Sequence, residues 1–145
     1  MSTHTSEEIA RLSAETMWAE DNATRELGIE MISVEPGRAK MAMRIRSSMT
    51  NGHGMCHGGY IFLLADSAFA FACNSHGQRN VAQHCSVSFL APGKLGERLI
   101  AEAFERQRGE RWGITDVTVR DEAGATIAEF RGHSRAIPGS LVATA

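Results

Sequence analysis

One acid stands alone in the middle of the chain. Between Glu35 and Glu97 the only Asp or Glu is Asp66, whereas seven of the 17 acids fall in the first 30 residues. Asp66 lies within the most apolar stretch, from Gly58 to Cys73, with Phe62, Leu63, Phe69 and Ala70 at i±3 and i±4. On a helix those neighbours penalise the charged form and raise a carboxylate pKa, as a general base requires. The position also suits an acid at a kink, or one reaching solvent past a sheet edge. Gly58 and Gly59 open the same stretch. Bare backbone N–H groups at the positive end of a helix can hold an oxyanion, although a helix start often needs small residues for packing alone.

The interval between Gly58 and Asp66 carries a quaternary prediction. Eight residues of helix span roughly 12 Å at about 1.5 Å per residue. An oxyanion donor and a base must each come within about 3 Å of one reacting centre. One chain cannot bring both to the same carbonyl. Two such helices, antiparallel across a twofold axis, can. The spacing therefore predicts a dimer with two equivalent shared sites.

Other chemistries fit less well. His53, Cys56 and His57 lie close in sequence but have no second distant pair of ligands, so no metal is expected. Cys56 is no better placed as a nucleophile. No Gly-x-Ser-x-Gly elbow occurs, which removes the usual serine hydrolase reading. The cysteines Cys56, Cys73 and Cys85 are odd in number and irregularly spaced, and match no disulfide framework.

These residues need elements to position them. Thr5-Ser6-Glu7-Glu8 has capping-box spacing and predicts a first helix over 6–21. From Ile29 the apolar period changes to two, with Met41, Met43 and Ile45 alternating and Glu35-Pro36-Gly37-Arg38 as a hairpin turn. An irregular Gly-rich connection over 50–57 leads into a long helix over 58–75. Strand-like runs follow at 81–90, 99–106, 113–120 and 126–137, and the tail from Pro138 reads as frayed. Helix, two strands, helix and four strands in that order predict α+β with an antiparallel sheet. The middle helix is apolar all round, so the sheet must wrap it and a second subunit must cover the remainder.

Composition sets the outer limits. The chain has 145 residues, 15 Lys+Arg against 17 Asp+Glu, and is 43% hydrophobic. That length suits one domain, and a net charge of −2 gives no general attraction to nucleic acid or anionic membrane. The start is acidic and polar, without the pattern of a secretory signal, and no stretch reaches the roughly 20 apolar residues of a membrane span. A soluble, reduced, cytoplasmic protein is expected.

The run from Asn51 through His57-Gly58-Gly59 to Asp66 closely resembles the signature of hotdog-fold acyl-CoA thioesterases of the PaaI type, associated with phenylacetate degradation. The similarity continues through Ala91-Pro92-Gly93-Lys94-Leu95-Gly96-Glu97 and Phe130-Arg131-Gly132-His133-Ser134. It covers residues 25–137, leaving 1–24 as an N-terminal helical segment and 138–145 as a tail. The resemblance implies a curved antiparallel sheet of five to six strands around a long central helix. It also implies hydrolysis of an acyl-CoA, phenylacetyl or ring-hydroxylated, without a cofactor. The assembly it implies is a homodimer, with dimers pairing into tetramers.

In that family the Asn orients the water or the thioester, and the His beside the first glycine shapes the site. Asn51, His57, Gly58 and Asp66 form the expected catalytic set. Both Asn51 and His57 also read as loop residues bonding their own backbone. Gly59, Ala82, His84 and Phe89 are the expected acyl-binding residues, with Ala82 standing where some relatives place a Ser. Coenzyme A carries three phosphate groups, and arginine forks suit phosphate oxygens. Arg106, Arg108 and Arg111 surround one hairpin tip and Arg135 lies on the last strand, so Arg108, Gly109, Arg111 and Arg135 are the expected CoA-binding residues. Two rivals remain: a hotdog hydratase or dehydratase, and a non-catalytic acyl-CoA-binding protein.

Overall fold

The computed structural model describes residues 3–143. Helix α1 spans Ser6–Glu20 and begins at the expected cap, where the Thr5 hydroxyl accepts the Glu8 N–H at 3.1 Å and donates to its carboxylate at 3.2 Å. It stops at Asp21, which at once caps a second, short helix, α2 (Asn22–Glu26), by accepting the Thr24 N–H at 3.0 Å. Strands β1 (Glu30–Glu35) and β2 (Arg38–Arg44) form a hairpin, and a one-turn 3₁₀ helix at Ser47–Met49 opens the Gly-rich connection. Then come α3 (Gly58–Cys73), β3 (Gln78–Phe89), β4 (Arg98–Arg108), β5 (Trp112–Arg120) and β6 (Thr126–Ser140).

All six strands join one antiparallel sheet in the order β1-β2-β4-β5-β6-β3. The connection from β2 to β3 carries α3 across the sheet, and α3 packs chiefly on β2, β4 and β5. Leu64, Ala65, Ala68, Phe69 and Ala72 of the helix meet Met41, Met43, Leu99, Ala101, Val117 and Val119 of the strands. Phe69 also reaches β6, its ring centroid 5.8 Å from that of Phe130. Gly132 permits this approach, because a Cβ there would lie 2.7 Å from the Phe69 ring.

Burial along α3 is uneven in a regular way. The residues facing the sheet are buried, while Leu63, Asp66 and Ala70 are half-covered and Gly59 is exposed. Positions 59, 63, 66 and 70 follow an i, i+4, i+7, i+11 pattern and therefore share one face of the helix. The single chain wraps only part of α3, and Asp66 lies on the stripe it leaves uncovered.

The C-terminus corrects the reading of a frayed tail. Strand β6 passes through Pro138 to Ser140, and Leu141 is buried, donating its N–H to the Gly77 carbonyl at 2.7 Å. The strand tolerates the proline because its pairing with β3 shifts register there, from Asn80↔Ala136 to Gln78↔Ser140. At the edge of the sheet β3 pairs with β6 alone, and among the described residues its other side has no partner strand.

Candidate active site

The start of α3 is built by its own cap. His57 is the N-cap, and its Nδ1 accepts the Gly59 N–H at 2.9 Å. An accepting Nδ1 in a neutral imidazole places the proton on Nε2, which leaves an N–H available on the exposed side of the ring. The Gly59 donor is thus engaged by the cap. The Gly58 N–H has no acceptor among the described residues. Phe89, from the end of β3, packs against the side of Gly58 where a side chain would be, since a Cβ there would sit 2.9 Å from its Cζ. A cleft of about 510 Å³ opens beside the same turn, lined by Met55, Cys56, Gly58, Ile61, Phe89 and Leu90.

Asp66 is two turns further along α3. Its carboxyl is raised from the ordinary 3.8, first by burial and second by the nearby negative charge of Asp21. It has no hydrogen bond or ion pair among the described residues, so nothing within the chain offsets that cost. Burial also pushes the Cys56 thiol up to about 11, which keeps it protonated and non-nucleophilic at neutral pH.

Asn51 holds its own loop. Its Oδ1 accepts the backbone N–H groups of His53 at 2.9 Å and Met55 at 3.3 Å, which leaves its amide N–H₂ as the group free for other work. Ala82 and His84 lie on the exposed edge strand, where a bulge adds Gln83 between them. The His84 ring meets His133 of β6 edge-on at 5.5 Å between centroids.

The arginines at the β4–β5 turn divide by partner. Arg106 is paired with Asp116 at 3.3 Å. Arg108, Arg111 and Arg135 have no ion-pair partner among the described residues. Arg108 and Gly109 line a second recess, of about 290 Å³, together with His76, Glu105 and Trp112. His76 Nε2 lies 2.7 Å from Glu105 Oε1, the Glu105 side chain being 8% exposed. The indole of Trp112 is 48% exposed and lies directly across from Arg135 in the β5–β6 register. Spacing gave no hint of the His76–Glu105 pair, whose members are 29 positions apart. Trp112 had a signal in its place beside the arginine-rich turn.

One chain therefore gathers His57, Gly58, Gly59 and Phe89 at the helix start. It leaves Asp66 apart along α3, and carries Arg108 and Gly109 in a different recess. Among the described residues no group of three or more His, Cys, Asp or Glu is arranged to hold a metal ion. No described helix is long and apolar enough to cross a membrane.

A helix laid across a six-stranded antiparallel sheet, opening on Gly-Gly with an acid two turns on, defines a hotdog thioesterase. Residues 53–128 match the model of the Thioesterase superfamily, and the chain belongs to that family as an acyl-CoA thioester hydrolase of the PaaI type. It is 42% identical over 132 residues to the acyl-coenzyme A thioesterase PaaI of Escherichia coli (strain K12), covering 91% of this chain and 94% of that one. The structure of the E. coli PaaI protein from the phenylacetic acid degradation operon matches with a TM-score of 0.92 at 40% identity, over 94% of this chain and 99% of that one. The structure of smu.793 from Streptococcus mutans UA159 bound to acetyl CoA matches with a TM-score of 0.73 at 28% identity, over 75% and 88% respectively.

Proposed function

We propose that the active unit is a homodimer, itself able to pair into a tetramer, in which Asp66 of one subunit and the Gly58 N–H of the other act on one thioester carbonyl. The carrying observation is the placement of Asp66 on the stripe of α3 that its own sheet leaves uncovered. The unpaired edge of β3 supports the same assembly, because a second copy can extend the sheet there. Asp66 takes a proton from water, the water oxygen bonds to the carbonyl carbon, and the Gly58 N–H holds the oxyanion. Collapse breaks the C–S bond, the proton that Asp66 took from water passes to the departing thiolate, and the His57 Nε2–H donates that sulfur a hydrogen bond. In the alternative route Asp66 attacks directly and water opens the mixed anhydride. Single turnover in ¹⁸O-water separates the two, since only the anhydride route can place the label in the enzyme's carboxylate.

The acyl group is proposed to be aromatic, phenylacetyl or ring-hydroxylated, resting on the similarity to a protein of a phenylacetic acid degradation operon. Gly59, Ala82, His84 and Phe89 are assigned to its binding, and the Asn51 amide to orienting water or thioester. Arg108, Gly109, Arg111 and Arg135 are assigned to the CoA phosphates, which three unpaired guanidinium groups at one end of the sheet suit. CoA binding accords with a relative solved with acetyl CoA. The thiols, with burial keeping them protonated, fit a reducing cytoplasm. Thiol release from phenylacetyl-CoA by wild type and by Asp66→Ala is the test. Loss of turnover in a folded dimer is expected, and near-wild-type turnover would remove Asp66 from the mechanism.

A further inference from the structure

A buried hydroxyl chain ties the N-terminal segment to the turn of α3 that carries Asp66. The Thr24 hydroxyl lies 2.6 Å from Asp21 Oδ2 and 2.8 Å from the Ser67 hydroxyl. Thr24 is 1% exposed and Ser67 is 7% exposed, so both hydroxyls must find their partners within the protein. The order of donors follows from proton counting. A carboxylate only accepts, so Thr24 gives its single proton to Asp21. Having none left, Thr24 accepts from Ser67. The chain reads Ser67 to Thr24 to Asp21, and it ends on a full negative charge, which strengthens both bonds.

Ser67 is the residue after Asp66. Fixing its side chain fixes the rotation of α3 about its axis at that turn, and so the direction in which the neighbouring carboxylate projects. No other described hydroxyl links α2 to α3. Asp21 is held in place three times over, by the Thr24 N–H at 3.0 Å, by the Thr24 hydroxyl and by its own N–H to the Met17 carbonyl at 2.8 Å. The carboxylate is a fixed charge at a fixed place.

We infer that Asp21 and Thr24 are positioning residues for Asp66: the hydrogen-bonded chain from Ser67 through Thr24 to Asp21 sets the orientation of its helix turn and holds a carboxylate beside that turn. The inference rests on the assignment of Asp66 as the acting carboxylate. The groups facing Asp66 are few. Asp21 approaches from the start of α2 and raises its pKa. Cys73 on α3 and Cys85 on β3 feel its charge but are themselves raised, hence neutral thiols near pH 7. Among the described residues Asp21 is the charged neighbour that acts on it.

Two substitutions separate the orienting from the electrostatic part. Thr24→Val removes the hydroxyl and keeps the charge, and Thr24→Ser restores the hydroxyl. Asp21→Asn keeps an oxygen that can cap α2 but removes the charge. With Thr24→Val, kcat is expected to fall about tenfold with KM little changed, as for a slightly misdirected catalytic group, and Thr24→Ser is expected to recover it. With Asp21→Asn, the acid limb of kcat/KM is expected to move to lower pH. The carboxyl ¹³C shift of Asp66, followed by NMR titration, reads the same ionisation without catalysis. It should also move to lower pH in Asp21→Asn. Wild-type kcat in Thr24→Val, or an Asp66 titration unmoved by Asp21→Asn, would overturn the inference. If the titration moves while Asp66→Ala still turns over normally, the electrostatic coupling stands and the catalytic assignment of Asp66 is what fails.

Discussion

The Nδ1 of His57 accepts the N–H of Gly59 at 2.9 Å, so the ring whose Nε2–H is proposed to donate to the leaving sulfur also caps the helix proposed to supply the oxyanion donor. Capping and hydrogen-bond donation to the leaving sulfur use opposite nitrogens of one ring. The two roles can be separated.

His57→Asn keeps a good capping oxygen and removes the Nε2–H, whereas His57→Ala removes both. His57→Ala should lose about 1 kcal/mol of stability in urea unfolding, the usual worth of a cap, and His57→Asn a few tenths at most. If the ring's Nε2–H steadies the departing thiolate by a hydrogen bond, kcat falls in both variants. Full activity in His57→Asn would leave His57 only its capping role.

Phe89 lies where a Gly58 side chain would be, its Cζ 2.9 Å from an added Cβ. Gly58→Ala must therefore displace the ring or tilt the first turn of α3. An oxyanion donor is worth about 10²–10³ in kcat when lost outright, and a displaced one should cost less, on the order of tenfold. Phe89→Leu in the Gly58→Ala background should recover part of that loss. A double-mutant cycle on kcat/KM checks it, and additive effects would show that the contact does not matter.

Asp66 leaves a signature in stability as well as in rate. Its folded pKa is raised above its unfolded value, so its neutral form is the better tolerated. Its favourable contribution is present in acid and is lost as pH rises through the folded pKa. Asp66→Asn should therefore be more stable than wild type at pH 7, with the gap closing below the ordinary carboxylate range. Thermal melts from pH 3 to 8 measure this directly, and a gap that widened in acid would have the wrong sign.

A shared site predicts complementation. Gly58→Pro removes the N–H at the first helical position, whose backbone suits proline although the Phe89 ring must shift for it, and Asp66→Ala removes the carboxylate. Each alone should be inactive. Unfolded together and refolded, random pairing makes half the dimers mixed, each with one intact site, giving roughly a quarter of wild-type activity for a symmetric dimer. Activity that stayed at the level of the separate variants would argue against sites built from two chains.

The three unpaired arginines should act on binding rather than on chemistry. Arg111→Gln with Arg135→Gln should raise KM for acyl-CoA by about tenfold at unchanged kcat. The effect should shrink with added salt and be absent with a short acyl-pantetheine ester. An equal loss on both substrates would place these arginines elsewhere in the enzyme's work.

Much of this fold is visible in period and punctuation. Met41 and Met43 alternate into the core as an amphipathic strand requires, and Thr5 caps α1 where its spacing with Glu8 predicts. The start of α3 at Gly58 follows from the glycines, and the interval to Asp66 from helix geometry. Helix α2 was missed because Asp21 ends one helix and caps the next without any break in composition. The Asp21–Thr24 spacing was the available signal. Pro138 read as a terminus because proline breaks regular pairing, and only the register shift opposite Asn80 shows how β6 continues past it. The His76–Glu105 pair and the Thr24–Ser67 bond join residues 29 and 43 positions apart, and such contacts come from topology rather than local pattern.

The open side of β3 has a consequence for the life of the newly made chain. An unpaired strand is a template for any other strand, and proteins usually blunt it with prolines, lysines or short length. Here it runs for 12 residues, Gln78 to Phe89, with Arg79 as its only formal charge and Val81 and Phe89 exposed along it. If the proposed dimer forms, a chain that has folded but not yet met its copy carries this strand as an adhesive seam, open to a wrong strand as well as to the right one.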